Sequence, residues 1–315
     1  MIGLRRVSLC AGLAVGLLSG CGTHIKDAPP LVSEVNTQDP QAAQLYASAE
    51  AAASAGDTKK AIRLYEEVAV THSYSKVAPQ ARFRQAVLLD NRGALLEAFD
   101  AYQQLIHRYQ SSSLYSEART KQAVVAHAAA DGLIKSNFLG LKSRLDSKKI
   151  VEMLEKVRDN APQAASAPKA QFAIGQVLEN RQKDAPAMAA YQRVVDDYAT
   201  SSYAPEAHYR IGHILLASAE RGNQNQANLD KALHTFQDLR QAYPRTKQAA
   251  AAEKKIAEIA SRDIQRSFDI AEFYYKKGQS TSAAFYYKEV LSKNGAGDLH
   301  NRARRRLQEI NGVSS

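Results

Sequence analysis

Residues 231–246 read KALHTFQDLRQAYPRT, and within them Ala232, Phe236, Leu239 and Tyr243 follow one another at offsets of 4, 3 and 4. Those offsets fall on one face of an α-helix, and Pro244 marks where that helix has ended. The same face recurs as Ala61-Tyr65-Val68, Ala98-Tyr102-Leu105, Ala187-Tyr191-Val194 and Ala283-Tyr287-Val290, with a further ring at His72, Tyr109 and Tyr198. A weaker copy, Ile150-Leu154-Val157-Ala161, keeps the spacing with aliphatic side chains. Upstream of each motif lies a small residue: Ala49, Ala86, Gly175 and Ala271 sit twelve before the motif's first alanine, and Gly212 does so with eight residues inserted. A small residue there lets two antiparallel helices approach closely. Gly56, Gly93 and Gly278 each stand five before the next alanine, where a left-handed residue can end one helix and turn the chain into its partner. Pro79, Pro168, Pro186 and Pro205 fit helix starts, and Pro162 and Pro244 follow helix ends.

A period of helix pairs with small residue, alanine, aromatic and proline at these places resembles the tetratricopeptide repeat. The resemblance covers about 42–295 and predicts an all-α helical-repeat solenoid of about five to six helix pairs. Two irregularities break the period: a linker around 132–147 and the polar stretch Ser218–Asn228, read as a longer helix pair or a loop. Lys247–Lys277 contains neither Pro nor Gly and reads as one helix of about thirty residues, while roughly Gly297–Ile310 forms a terminal cap helix.

The chain begins MIGLRRVSLCAGLAVGLLSGC, a basic start, an apolar run and Leu18-Ser19-Gly20-Cys21. The run is too short for a membrane-spanning helix, which needs about twenty residues, and fits a secretory signal. Its last four residues resemble the bacterial lipobox, which implies removal of residues 1–20 and lipidation of Cys21. Several acyl chains on one residue give stable anchoring where one chain alone is marginal. Gly22 in place of an aspartate implies the outer membrane, with the chain on its periplasmic face. Residues 21–40, with Pro29, Pro30 and Pro40 and no periodic apolar face, read as a flexible tether. Residues 41–200 and 201–315 then divide into N-terminal repeats and C-terminal repeats with the long helix and the cap.

Composition excludes most chemistry. The 315 residues are 45% hydrophobic and 23% charged, as in a folded soluble domain. The two cysteines, Cys10 and Cys21, both lie within the first 21 residues, so the repeats hold neither a disulfide nor a thiolate nucleophile. A net charge of +10 suits acidic partners or anionic lipid but is too diffuse to imply nucleic acid. Phosphate-loop, dinucleotide, HExxH and GxSxG motifs do not occur. His208 and His213, five apart, do not stack on one helical face, and Asp196 and Asp197 point apart as helix neighbours. The expectation is a protein that is not an enzyme and carries no cofactor and no metal.

Binding residues are sought instead among rings and charges. Aromatics recur three before each small residue: Tyr46, Phe83, Phe172, Tyr209 and Phe268. They could line a concave groove that grips an extended client; packing in the helix-pair core is the competing reading. Arg262 and Arg266 on the long helix, with Arg302, Arg304, Arg305 and Arg306 on the cap helix, are the candidate partner-binding cations.

The C-terminal third is the most specific. Ala271-Glu272-Phe273-Tyr274-Tyr275-Lys276-Lys277-Gly278, followed by Ala283-Ala284 and Val290-Leu291, resembles the BamD family, lipoproteins of the outer-membrane β-barrel assembly machinery. That resemblance implies a scaffold that changes no bond. Its partners would be the barrel-assembly channel protein, other assembly lipoproteins and unfolded outer-membrane proteins, with membrane contact through the lipid anchor. It implies further that the C-terminal region holds the channel protein while the N-terminal repeats, around Tyr46 and Phe83, face clients. Ser202-Tyr203-Ala204-Pro205-Glu206-Ala207 resembles instead the repeats of CpoB, a Tol–Pal coordinator in envelope constriction, which leaves a cell-envelope or peptidoglycan scaffold as the alternative. Cys21 and the missing N-terminal heptads argue against it.

Overall fold

A computed structural model describes residues 38–132, 137–138, 141–142, 145–221, 226–293 and 297–313. Thirteen helices lie among them, and twelve form antiparallel pairs. The pairs are α1 (Pro40–Ser54) with α2 (Thr58–Thr71), α3 (Ala78–Asn91) with α4 (Leu95–Arg108), and α5 (Tyr115–Ala130) with α6 (Ser147–Asp159). They continue as α7 (Ser166–Asn180) with α8 (Asp184–Asp197), α9 (Ala204–Arg221) with α10 (Gln226–Ala242), and α11 (Lys247–Lys276) with α12 (Ser280–Ser292). The last helix, α13 (Asp298–Val313), covers the end of the array. Each helix packs mainly on its sequence neighbours, as a solenoid requires.

The repeated face is the core. Ala61, Ala98, Ala187, Ala232 and Ala283 are fully buried, and Tyr65, Tyr102, Tyr191, Phe236 and Tyr287 are at most 2% exposed. Each of these rings meets the ring three before the small residue of its partner helix. The centroid distances are 5.5 Å for Tyr46–Tyr65, 5.9 Å for Phe83–Tyr102, 5.3 Å for Phe172–Tyr191, 5.7 Å for Tyr209–Phe236 and 5.8 Å for Phe268–Tyr287. The small residue makes this possible: a Cβ built on Gly175 would lie 2.4 Å from the Tyr191 ring, and one on Gly212 would lie 2.6 Å from Phe236. Gly56, Gly93 and Gly278 adopt φ of +80°, +73° and +72° and turn the chain between partner helices.

The rings that close the second helices tie one pair to the next. Tyr109 donates its hydroxyl to the carbonyl of Ser73 at 2.9 Å, and Tyr243 donates to the carbonyl of Ala199 at 3.1 Å. His72 Nδ1 lies 2.6 Å from Asp39, whose other oxygen caps α1. The backbone N–H groups hold Asp39 below the usual carboxylate range, with His72 adding to them. Helix α1 therefore starts at Pro40, one residue inside the stretch expected to be tether.

The irregularities resolve differently. Between α5 and α6 lies a short antiparallel hairpin, β1 (Asn137–Phe138) with β2 (Leu141–Lys142), where the sequence offered only a linker. Two residues per strand leave no alternation to detect. The stretch Ser218–Asn228 lengthens both α9 and α10, to 18 and 17 residues, as the longer-pair reading expects. Helix α11 is continuous over 30 residues. Its first part, with Ala252 and Ile259, packs into the core of the fifth pair, and its second part, with Ile264, Phe268 and Ala271, into that of the sixth.

Candidate partner-binding face

The third quarter of α11 faces the extensions of α9 and α10 across an open groove of about 1040 Å³. One wall is polar. Arg262 donates to Glu220 of α9 at 2.5 Å and to Glu258, one turn back, at 2.7 Å, and Arg266 donates to Gln226 of α10 at 3.0 Å. The Glu220 carboxylate pushes the Arg262 guanidinium further up from its already high value. Both arginines are exposed, but Arg262 is engaged within the chain and braces α11 against the lengthened fifth pair.

The other wall is aromatic. Phe273 and Tyr274 at the end of α11 and Tyr286 of α12 line it, Tyr274 meets Tyr286 between the two helices, and Phe285 stands beside Tyr286. Tyr274 and Tyr286 stack with ring planes 8° apart and centroids at 5.6 Å, and Phe273 and Phe285 pack edge-on against these two. The phenylalanines stay 57% and 65% exposed, among the most exposed large hydrophobic side chains of the described residues. A contiguous exposed aromatic cluster beside a groove is the kind of surface that another protein covers. Sequence reasoning named Phe273, Tyr274 and Tyr275 only as part of a resemblance. The helical spacing puts Phe273 and Phe285 off the Ala-aromatic face, and that was the available signal for an outward ring.

The cap-helix arginines separate into two groups. Arg306 is half-buried and committed inside the fold: it donates to Glu309 at 2.8 Å and to Glu272 at 3.2 Å, and it lies 4.5 Å from the Tyr275 ring centroid. Its pKa is raised, chiefly by Glu309 and then Glu272. Glu272 also accepts the Tyr287 hydroxyl at 2.6 Å. Burial pushes Glu272 up, but the hydrogen bonds from Tyr287 and Arg306 outweigh it and hold the carboxyl below its ordinary value. Arg302 stacks over the Phe268 ring at 4.5 Å. Arg304 and Arg305 point outward and are exposed. Arg306 is thus a structural clamp between α13 and α11, which the basic run alone could not reveal.

The expected client groove is also revised. Phe83 and Phe172 are buried against Tyr102 and Tyr191, so they supply packing rather than a grip. Tyr46 and Tyr209 are half-buried in the equivalent ring pairs. Position i−3 from a close-packing residue remains on the core side of the helix, which explains all four. His208 packs edge-on against Tyr243, and His213 stacks on Tyr209, so the two do not converge. No group of three His, Cys, Asp or Glu side chains able to hold a metal occurs among the described residues. No helix among them is long and apolar enough to cross a membrane. Cys21, the signal and nearly all of the tether lie outside the described residues.

Two sequence families match. A tetratricopeptide-repeat model covers residues 80–112, most of the second helix pair. The YfiO model, described as an outer membrane lipoprotein, covers residues 142–311, which is more than half of the chain. No protein of curated function matches. Similar solved structures include MamA from Desulfovibrio magneticus RS-1, 16% identical over 67% of this chain and 99% of that one, at a TM-score of 0.32. They also include the tetratricopeptide domain of P58(IPK), 15% identical over 85% of this chain and 68% of that one, at a TM-score of 0.35. A tetratricopeptide protein from Parabacteroides merdae is 13% identical over 86% of this chain and 99% of that one, at 0.33. Likeness at that level carries no argument; the helix-pair architecture stands on its own geometry. With six tetratricopeptide-type pairs and a match spanning α6 to α13, the chain belongs to the YfiO, or BamD, family of outer membrane lipoproteins.

Proposed function

We propose that this chain is the outer-membrane-anchored periplasmic scaffold of a β-barrel assembly machinery. In this reading Cys21 carries the lipid, residues 21–39 tether the solenoid, and the protein makes and breaks no bonds. The C-terminal repeats hold the barrel-assembly channel protein beside other assembly lipoproteins, and the N-terminal repeats receive unfolded outer-membrane proteins. The observation that carries it is the family match over 142–311, a span that contains the long helix and the exposed ring cluster. Phe273 and Phe285 then act as anchors, since interface energy concentrates in a few large aromatic side chains. Arg304 and Arg305 add steering and salt dependence.

The test is mild detergent extraction of the tagged full chain, followed by identification of what co-purifies. A barrel-assembly channel protein in the wild-type sample, and its loss from Phe273→Ala/Phe285→Ala, is the expected result. Recovery of Tol–Pal components or a peptidoglycan synthase instead would replace the reading with the envelope-scaffold alternative. Retention of the channel protein by the double variant would move the docking face elsewhere. Arg304→Glu/Arg305→Glu should weaken co-purification more at low salt than at high salt, with helicity unchanged.

A further inference from the structure

The first helix pair departs from the others at the point where the tether enters the fold. Two residues past the aliphatic residue of each repeated face, the other second helices carry a polar side chain: His107, Asp159, Asp196, Gln241 and Ser292. The first pair has Val70 there. Nine residues past the aromatic position stand Ser111, Gln163, Thr200, Arg245 and Ala296, and the first pair has Tyr74. Both exceptions face solvent: Val70 is 59% and Tyr74 47% exposed. One exposed apolar residue is ordinary. Two that take the place of smaller or polar residues around the same turn of one repeat ask for an occupant.

The turn that carries Tyr74 is firmly held. The Ser75 N–H donates to the carbonyl of His72 at 2.9 Å, the Tyr109 hydroxyl donates to the carbonyl of Ser73 at 2.9 Å, and Arg108 donates to the Ser73 hydroxyl at 3.2 Å. Val70 and Tyr74 stand two residues to either side of His72, and His72 is the residue that Asp39 meets, with Nδ1 2.6 Å from the carboxylate. The chain that leads into Asp39 therefore arrives beside both. Its densest apolar run is Leu31-Val32-Ser33-Glu34-Val35, whose near end is four residues from Asp39. Four residues reach about 14 Å, enough to bring Val35 onto a patch two residues from His72.

We propose that residues 31–35 of the tether fold back onto Val70 and Tyr74, so that the tether is strapped to the foot of the first helix pair. The segment belongs to the same chain, so its effective concentration at the patch is high and a weak apolar contact suffices to hold it. The consequence is geometric. The 18 residues 21–38 can extend about 60 Å, whereas with 31–35 strapped down residues 21–30 reach about 35 Å, and Pro29 and Pro30 stiffen the end of that shorter piece. A lipid on Cys21 then keeps the first pair close to the membrane surface. That effect rests on the lipid proposed above; the strap itself rests neither on the lipid nor on the C-terminal docking face.

The sequence contains no tryptophan, so Tyr74→Trp puts a single reporter on the patch. Its emission and its quenching by acrylamide are read in the mature chain, lipidated in phosphatidylcholine nanodiscs and as the unlipidated Cys21→Ala protein in buffer, with circular dichroism to check the fold. Shielded, blue-shifted emission is expected in both. Adding Leu31→Ser/Val32→Ser/Val35→Ser should raise quenching severalfold in both with helicity unchanged. Ser111→Trp, at the equivalent place of the second pair, should be quenched alike with either tether. Equal quenching of Tyr74→Trp with either tether overturns the proposal. Shielding confined to nanodiscs would make lipid the occupant, and shielding lost on dilution would make it the tether of a second copy; either result overturns it as well.

Discussion

Gly175→Ala tests whether close approach of paired helices depends on a missing side chain. On helix propensity alone the substitution should stabilise α7, by about 1 kcal/mol. Against that, the new Cβ would lie 2.4, 2.5 and 2.8 Å from three atoms of the Tyr191 ring. The ring cannot easily retreat: it is fully buried, it packs on Phe172, and its hydroxyl donates to Glu179 at 2.6 Å. Overpacking of this kind costs about 1–3 kcal/mol, and losing a hydrogen bond to a charged acceptor would add about 1.5–3 kcal/mol. With the hydrogen bond lost, the three terms sum to a net loss of about 1.5–5 kcal/mol, so the clash outweighs propensity. Alanine occupies the same place at Ala49, Ala86 and Ala271 opposite tyrosines, so the helix separation, not the residue pair, is what the experiment probes. The assay is urea unfolding followed by circular dichroism, with hydrogen exchange to localise the loss to α7 and α8. In Gly175→Ala/Tyr191→Leu the clash disappears, because α6 already uses Leu154 at that place, and the double variant should lose less than the sum of the single ones. Unchanged or raised stability in Gly175→Ala would refute the reasoning.

Arg306→Glu should loosen α13 from α11, seen as faster hydrogen exchange in both, whereas Arg304→Glu/Arg305→Glu should leave that exchange unchanged. The pH dependence has two windows. His127 keeps a pKa of about 4 when folded, below its ordinary 6.5, so the unfolded chain takes up a proton first and stability falls as pH drops from 6.5 towards 4. Glu272 is held below 4.5 when folded, so its contribution is complete above 4.5 and is lost as pH falls through the depressed folded value; unfolding midpoints measured across that range should show both slopes, and His127→Phe should remove only the upper one. Cys21→Ala should release the protein from the outer-membrane fraction with its melting temperature unchanged; membrane recovery at the wild-type level would contradict lipidation.

The legible part of the fold was the part built on period. Ala-aromatic-aliphatic spacing located five second helices and the glycine turns, since each depends on residues a helical face needs in order to bury itself. Leu154 kept the same spacing with weaker chemistry and still sits fully buried in α6. What escaped was whatever depends on relations between helices. Arg306 looks like Arg305 in the sequence, yet the rotation of about 100° per residue along α13 places it against Glu272, 34 residues away, and leaves Arg305 outside. Likewise Phe83 and Phe273 are both rings on first helices, and only their position relative to the small residue decides that one faces Tyr102 and the other faces solvent.

The length of α11 has a mechanical meaning. The first helices α3, α7 and α9 also contribute to two cores in succession, but this one does so over 30 residues, about 45 Å of continuous helix. No Gly or Pro interrupts it, so the fifth and sixth pairs cannot reorient relative to one another without bending a continuous helix. Side chains reinforce the joint from both sides: Gln248 donates to Glu206 of α9 at 2.9 Å, Arg262 grips Glu220, and Lys293 after α12 reaches Asp263 at 2.8 Å. The lengthening of α9 and α10 supplies the surface that Glu220 and Gln226 present to α11. Insertion and long helix are therefore one device. Together they hold the aromatic wall at a fixed distance from the polar wall, so the groove exists before a partner arrives and binding is spared the cost of ordering it.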